Sequence, residues 1–147
     1  MKLFGHPVHV MLIHFPAALL PMDFACALLG KWLQEPALAE AGHYAAFGGI
    51  SLGAAAIATG MFDLVDVSRE YSTALNKALI HGGINSVVLI GYLMLMMPAW
   101  NAYPTIVIDG NWTVGTKGLL IGGMIFGNYL GGSLVMEHGV GQIRKQG

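Results

Sequence analysis

Four long apolar stretches separated by shorter polar ones make up most of this chain. They run roughly over residues 7–33, 43–65, 79–100 and 114–136. A bilayer core about 30 Å thick requires about 20 mostly apolar residues in a helix, so each stretch is long enough to cross a membrane. Short connections favour antiparallel neighbours. The pattern therefore predicts an all-α fold: a polytopic membrane protein that forms a four-transmembrane-helix up-down bundle, with residues 1–147 as a single domain.

The three connections between these stretches have different local signals. The first, Gln34-Glu35-Pro36, is short and contains a helix breaker. The second, residues 66–77, is the most polar stretch of the chain, and its Ser72-Thr73 pair could cap the next helix. In the third, the β-prone Ile106-Val107-Ile108 precedes Asp109-Gly110, which predicts a short β-hairpin that turns at Asp-Gly.

The composition agrees with a membrane environment. The chain is 55% hydrophobic and only 10% charged, whereas a soluble domain has about 25% charged residues. A net charge of −1 provides no basic surface for nucleic acid. One cysteine excludes an internal disulfide. Histidines, prolines and Asp23 within the first apolar stretch argue against a secretory signal peptide.

Basic residues near the helix ends predict the orientation. Five of them lie on the side that holds both termini, namely Lys2, Arg69, Lys77, Arg144 and Lys145, and two lie on the other side, Lys31 and Lys117. The positive-inside rule then predicts that both termini are cytoplasmic. Three tryptophans, Trp32, Trp100 and Trp112, should lie near the opposite interface.

The histidines are the main candidates for chemistry. An up-down bundle places five of the six on the side of the termini, namely His6, His9, His14, His81 and His138, and leaves only His43 on the other side. Ionisable residues inside a membrane are rare and usually functional. Imidazole is also a common ligand for haem and transition metals. The arrangement therefore predicts a redox or metal centre at one end of the bundle.

Helix geometry ranks these histidines as ligands. His14, His81 and His138 are expected to form a layer at one depth. His6 and His9, spaced i, i+3, should share one helix face nearer the surface. We therefore expect His14, His81 and His138 to bind haem iron or a metal ion, with His9 next. His6 is a further candidate for the cofactor site only.

Polar residues near this layer could support the ligands. Thr59, Asp63 and Asp66 form a stripe from which Asp63 could orient a ligand imidazole. Asn85, one turn after His81, could hydrogen-bond to a ligand or to the cofactor. Haem propionates could pair with basic groups, namely Arg69, Lys77, Arg144 or Lys145. Asp23, deeper in the first stretch, is expected to be protonated or water-linked if it is isolated. A proton relay and a hydrogen bond to another helix are the alternatives.

Glycines spaced four residues apart recur at 49/53, 118/122, 123/127 and 127/131. Small residues allow helices in lipid to approach closely. Such positions could also leave a slot for a flat macrocycle, or a contact surface for a homodimer. Three methionines, Met94, Met96 and Met97, raise the weaker hypothesis of a copper site.

Three stretches resemble a bacterial membrane family known as domain of unknown function 2231. They are GHPVHVMLIHFPAAL at 5–19, HGGIN at 81–85 and YLGGSLVMEHGVG at 129–141. The resemblance covers nearly the whole chain and implies a multi-pass protein of the bacterial inner membrane. It also implies that His6, His9, His81 and His138 are motif histidines, and that His14 is one found in many members. The family often has proline after the second histidine, where this chain has Val10.

The leading functional hypothesis is a haem b electron-transfer protein, an electron carrier rather than a catalyst. It would exchange electrons with a quinol or a redox partner while embedded in the lipid bilayer. The histidine count permits two haems, and we expect one. One alternative is a site where three or four histidines bind zinc, iron or copper. The other is a non-catalytic assembly subunit whose histidines form a polar network between helices.

Overall fold

Five helices account for nearly all of the described chain. The computed structural model describes residues 2–3, 6–70 and 74–138, with side chains over 8–65 and 74–137. Two short strands, β1 (Lys2–Leu3) and β2 (His6–Pro7), pair antiparallel before the first helix. The helices are α1 (Val8–Leu12), α2 (His14–Leu33), α3 (Pro36–Glu70), α4 (Leu75–Ala102) and α5 (Asn111–His138).

Four segments are long and apolar enough to cross a membrane. They are Val8–Leu33, Pro36–Val65, Leu75–Ala102 and Asn111–Glu137, so that α1 and α2 together form the first. This confirms the prediction of an all-α protein with four transmembrane helices. We call the end of the bundle at Val8, Val65 and Leu75 the terminal end. The loop end is the opposite end, at Leu33, Pro36, Ala102 and Asn111.

Prolines determine the local structure where the first segment begins. The residue before a proline disfavours the helical conformation, so His6, which precedes Pro7, lies in β2 and α1 begins at Val8. The prediction that His6 and His9 share a helix face is therefore wrong. The break at Ile13 lies three residues before Pro16. Pro16 has no N–H to donate to the Leu12 carbonyl, and its ring crowds that group.

A two-residue connection joins α2 to α3 as a tight antiparallel hairpin. Gln34 ends α2 in the left-handed conformation, with φ 55°, and its Nε2 donates to the Lys31 carbonyl at 2.6 Å. The Glu35 N–H donates back to the Gly30 carbonyl at 2.9 Å. Pro36 then begins α3, where its missing N–H would have had no partner within the helix.

The other two connections differ from the predictions. Helix α3 continues to Glu70, so much of the predicted polar loop is helical, and Ser72-Thr73 lies outside the described residues. Residues 103–110 contain a cis Tyr103-Pro104 bond and no strand, so the predicted β-hairpin is wrong. The residues needed for its second strand begin α5 instead.

Glycines on α3 allow the neighbouring segments to approach closely. A Cβ added at Gly49 would lie 2.7 Å from a Leu20 methyl, and one at Gly53 would lie 2.6 Å from a Leu89 methyl. Helix α2 contacts both α3 and α5, and α4 also contacts both. The four long helices therefore enclose one core, which includes Leu20, Ala46, Ile50, Val88, Tyr92, Met96, Ile121 and Met124.

We expect Gly49→Ala to destabilise the bundle by about 1–3 kcal/mol, the usual cost of overpacking a core. The new methyl group would overlap Leu20, which is 1% exposed and has little room to move. Gly122→Ala is the matched control, because no atom lies within 4 Å of a Cβ there. The free energy of unfolding, followed by circular dichroism as sodium dodecyl sulfate is added to micelles, checks both. Equal stability of the two variants would contradict the described packing.

Candidate functional site

Two histidines at the terminal end pack against glycines of neighbouring helices. A Cβ added at Gly60 of α3 would lie 2.9 Å from Cε1 of His9. Likewise, a Cβ at Gly131 of α5 would lie 2.6 Å from Cε1 of His81 on α4. Both imidazoles are half-buried. At these two positions, then, the space left by a missing side chain is filled by an imidazole ring.

Both histidines make the same hydrogen bond. Nδ1 of His9 lies 2.7 Å from the carbonyl oxygen of Ala56, and Nδ1 of His81 lies 2.7 Å from that of Gly127. A carbonyl can only accept, so each Nδ1 must carry the proton. In a neutral imidazole Nε2 then has a free lone pair. Histidines that bind metals are usually held in this way, with the other ring nitrogen donating to a carbonyl or a carboxylate.

Two polar side chains, Asn85 and Thr59, hydrogen-bond to backbone carbonyls beside these histidines. The Asn85 amide donates to the His81 carbonyl at 3.0 Å, one turn away on α4, and also lies 3.2 Å from His81 Nδ1. The sequence predicted that Asn85 lies on the same helix face as His81. In the structure its amide hydrogen-bonds to the backbone of His81 itself. The Thr59 hydroxyl lies 3.0 Å from the Ala56 carbonyl that accepts from His9. Both acceptor carbonyls are therefore part of small polar networks.

The other predicted residues are placed as follows. His14 is exposed on α2, and Asp63 is half-buried on α3. His9 and His81 are close enough to interact electrostatically, whereas no described contact joins His81 to His14. The side chains of His6, Arg69 and His138 lie outside the described residues. Among the described side chains, no group of three or more histidine, cysteine or acidic residues could hold a metal ion.

An open apolar groove lies between α4 and α5, and its lining includes neither His81 nor His9. It measures about 440 Å³, opens towards the membrane and is lined by Ile80, Ile84, Leu119 and Gly123 among others. Ile80 and Ile84 flank His81 on α4. Nearer the terminal end, Lys77 forms a 2.6 Å ion pair with Glu137, so this candidate for pairing with a propionate already has a carboxylate partner.

A second polar site lies towards the loop end and joins α2, α5 and the segment before α5. Lys117 Nζ donates to Asp23 at 2.8 Å and to Asp109 at 2.6 Å, and we call these three residues the lysine cluster. Lys117, Asp23 and Asp109 are 0%, 1% and 8% exposed. Asp23 is therefore not isolated, and its hydrogen bond to another helix is one of the expected alternatives.

The local structure explains how the lysine cluster forms. Helical side chains point towards the N-terminus of their helix, so Lys117 reaches back to Asp109 just before α5. Asp23 lies in the middle of α2, ten residues before its end, and Lys117 lies six residues after the start of α5; their side chains meet in the buried interior. Opposite charges within two apolar stretches were the signal that could have revealed this pair. The Lys117 charge, counted as a residue flanking the membrane, is instead buried.

The fold and these two sites define the chain as a polytopic α-helical membrane protein. It has inward-facing imidazoles at one end and a buried ion-pair cluster at the other. The family described as Predicted membrane protein (DUF2231) matches residues 5–144, and this chain belongs to that family. No curated protein matches the chain, and no solved structure does.

Proposed function

We propose that this protein binds one haem b at the terminal end of the bundle and acts as an electron carrier in the membrane. The observation that supports this most is the shared geometry of His9 and His81. In both, Nδ1 donates a hydrogen bond to a backbone carbonyl, so the Nε2 lone pair remains available for an iron ion. When bound, haem supplies reversible one-electron chemistry.

The structure orders the ligand candidates differently from the sequence. His81 is the first, because its ring donates to the Gly127 carbonyl and packs against Gly131, and because Asn85 donates to its backbone carbonyl. His9 is the second, because it faces the interior from α1 and interacts with His81. His14, His138 and His6 stay in the proposal as further candidates.

Apolar surface on α4 around Ile80 and Ile84, next to His81 in sequence, would suit a cofactor with a large flat ring. The groove between α4 and α5 is an open surface of apolar side chains against which one face of such a ring could pack. Ile80 and Ile84 would cover the ring and keep water from it. Arg69 is close in sequence to the end of α3, and Arg144 and Lys145 follow α5. These basic residues would pair with the propionates.

The proposal includes a location and an orientation. The protein would lie in the bacterial inner membrane with both termini in the cytoplasm. Burial of Lys117 supports this orientation, because it leaves Lys31 as the one flanking basic residue counted at the loop end, against five at the terminal end. A quinol or another redox protein would be the electron partner. A homodimer could pack on Gly115 and Gly122, where a Cβ would meet no atom within 4 Å.

An absorption spectrum of the purified, full-length protein, oxidised and then reduced with dithionite, tests the proposal. We expect a Soret band that shifts on reduction, with sharp α and β bands, because two imidazole ligands give a six-coordinate haem. A colourless protein from haem-replete cells would overturn the haem assignment. Elemental analysis would then separate a histidine-bound transition metal from a metal-free assembly subunit.

Two adjacent glycines allow a sharper test of the site. We expect Gly131→Ala to shift or reduce the haem spectrum, because the new methyl group would displace the His81 ring from the Gly127 carbonyl. Gly132→Ala should leave the spectrum unchanged, since no atom lies within 4 Å of a Cβ there. The measurement is haem bound per chain, together with the band positions. Identical spectra for the two variants would argue against His81 as a ligand held by α5.

A further inference from the structure

The lysine cluster carries an unbalanced charge. It contains two carboxylates and one ammonium, which sum to one negative charge if both carboxylates are ionised. All three groups are almost completely removed from solvent. A net charge buried in a medium of low polarity is costly, and such groups usually take up or lose a proton instead. Uptake of one proton would therefore remove the net charge of the three groups.

Two buried side-chain atoms at the loop end have no hydrogen-bond partner among the described residues. They are Oδ2 of Asp23 and Nε2 of His43. They come from facing helices, because Gly42 of α3, the neighbour of His43, packs on the Asp23 carboxylate. A Cβ there would lie 3.2 Å from Oδ1. His43 also lies within electrostatic range of Asp109 and Lys117.

The chemistry of these atoms favours a proton over a metal cation. The Lys117 ammonium already occupies Oδ1 of Asp23 and Oδ2 of Asp109, and it would repel a second cation at the same carboxylates. A carboxylate oxygen and an imidazole nitrogen can each take a proton. His43 lies within electrostatic range of Asp109 and Lys117, so a proton on either atom would belong to the cluster and His43 together.

Other titratable groups face this region from each packed helix. On α2, Lys31 Nζ donates to the Asp109 backbone carbonyl at 3.4 Å. On α3, Glu40 accepts a 3.4 Å hydrogen bond from Tyr44, and on α4 the buried Tyr92 hydroxyl donates to the Leu20 carbonyl at 3.2 Å. Tyr92 already uses its proton in that bond. None of these contacts supplies the missing partner of Asp23 Oδ2 or His43 Nε2.

We infer that the loop end contains a proton-binding site, formed by the lysine cluster and His43, that holds one exchangeable proton on Oδ2 of Asp23 or on Nε2 of His43. The bound proton makes the buried cluster neutral, and its release leaves one negative charge. Asp109 lies in the non-helical segment just before α5 and is the most exposed of the three charged residues. The site is separate from the histidines of the terminal end.

A pH titration of the full-length protein in lipid nanodiscs tests this inference. Infrared spectroscopy reports the carbonyl stretch of a protonated carboxylic acid, and ¹⁵N spectra of labelled histidine report the His43 ring. We expect one proton to leave as the pH rises, seen as loss of the carbonyl band or as a shift of the His43 resonances. In Asp23→Asn, the remaining Asp109–Lys117 pair has no net charge. The titration step should therefore be absent from both the infrared and the ¹⁵N spectra.

Glu35→Gln is the matched control, because Glu35 is an exposed carboxylate in the nearby α2–α3 connection. It should retain the complete titration step. The inference is overturned if neither readout titrates in the unsubstituted protein, or if the step persists in Asp23→Asn. The first of these outcomes needs no substitution, so the inference can be refuted even if Asp23→Asn does not fold.

Discussion

His81→Ala should abolish the haem spectrum of this protein or reduce it to that of a weakly bound, five-coordinate haem. The imidazole of His81 is held by the Gly127 carbonyl, rests on Gly131 and has Asn85 beside it. No other described side chain of α4 offers an imidazole at the terminal end. Absorption spectra and haem content per chain, measured on folded protein, check this prediction.

His43→Ala is the control with a matched side chain. His43 lies on α3 near the loop end, away from the proposed haem site, so the haem bands should keep their positions and intensities. Unchanged spectra in His81→Ala would refute the ligand assignment. Loss of haem in both variants, with the helix content preserved, would refute the placement of the site at the terminal end.

A comparison of His9→Ala with His14→Ala identifies the second ligand. The hydrogen bond from His9 to the Ala56 carbonyl predicts the larger spectral change for His9→Ala. His14 is exposed and lies only five residues further along the chain. A larger effect of His14→Ala would restore the ligand order expected from depth alone.

Lys117→Met should destabilise the protein by about 3–5 kcal/mol, the usual effect of removing one partner from a buried ion pair. Two carboxylates, Asp23 and Asp109, would remain buried without the ammonium that both contact. Methionine retains most of the side-chain volume, so the loss would reflect charge and not a cavity. The free energy of unfolding in mixed micelles measures the effect.

Lys77→Met provides the same substitution at an ion pair in contact with solvent. The side chains of Lys77 and Glu137 are 30% and 57% exposed, and pairs of this kind contribute at most about 1 kcal/mol. Adding Asp23→Asn and Asp109→Asn to Lys117→Met should recover much of the lost stability, because no charge then remains in the cluster. Equal destabilisation by the two lysine variants would show that burial of the cluster does not govern its energy.

The apolar pattern of the sequence was sufficient to predict the four membrane segments and their antiparallel order. It was not sufficient to predict which face of each helix is interior. Lipid is as apolar as the core of the bundle, so a membrane helix need not show the polar face that orients a helix in water. The pairing of Asp23 with Lys117, 94 residues apart in sequence, depends on the rotation of both helices about their axes.

Particular residues show the same limit at the candidate haem site. The spacing of the histidines correctly predicted that most would lie near the terminal end, but it ranked His14 above His9. The exposed position of His14 and the inward position of His9 follow from how α1 and α3 pack around Gly60. Likewise, Ile106-Val107-Ile108 has strand propensity, but Asn111 begins α5 and leaves the run without a partner strand.

The distance along the chain between Asp23 and Lys117 also bears on biogenesis. Protein synthesis proceeds from the N-terminus, so the hairpin of α2 and α3 is made well before α5 emerges from the ribosome. Asp23 therefore enters the translocation machinery without its cationic partner, and a carboxylate in a bilayer without such a partner is unfavourable. Lys117 on α5 supplies the positive charge that pairs with Asp23 on α2. Correct insertion of α5, with Lys117 within reach of Asp23, thus becomes a condition for stable integration of the segments that precede it.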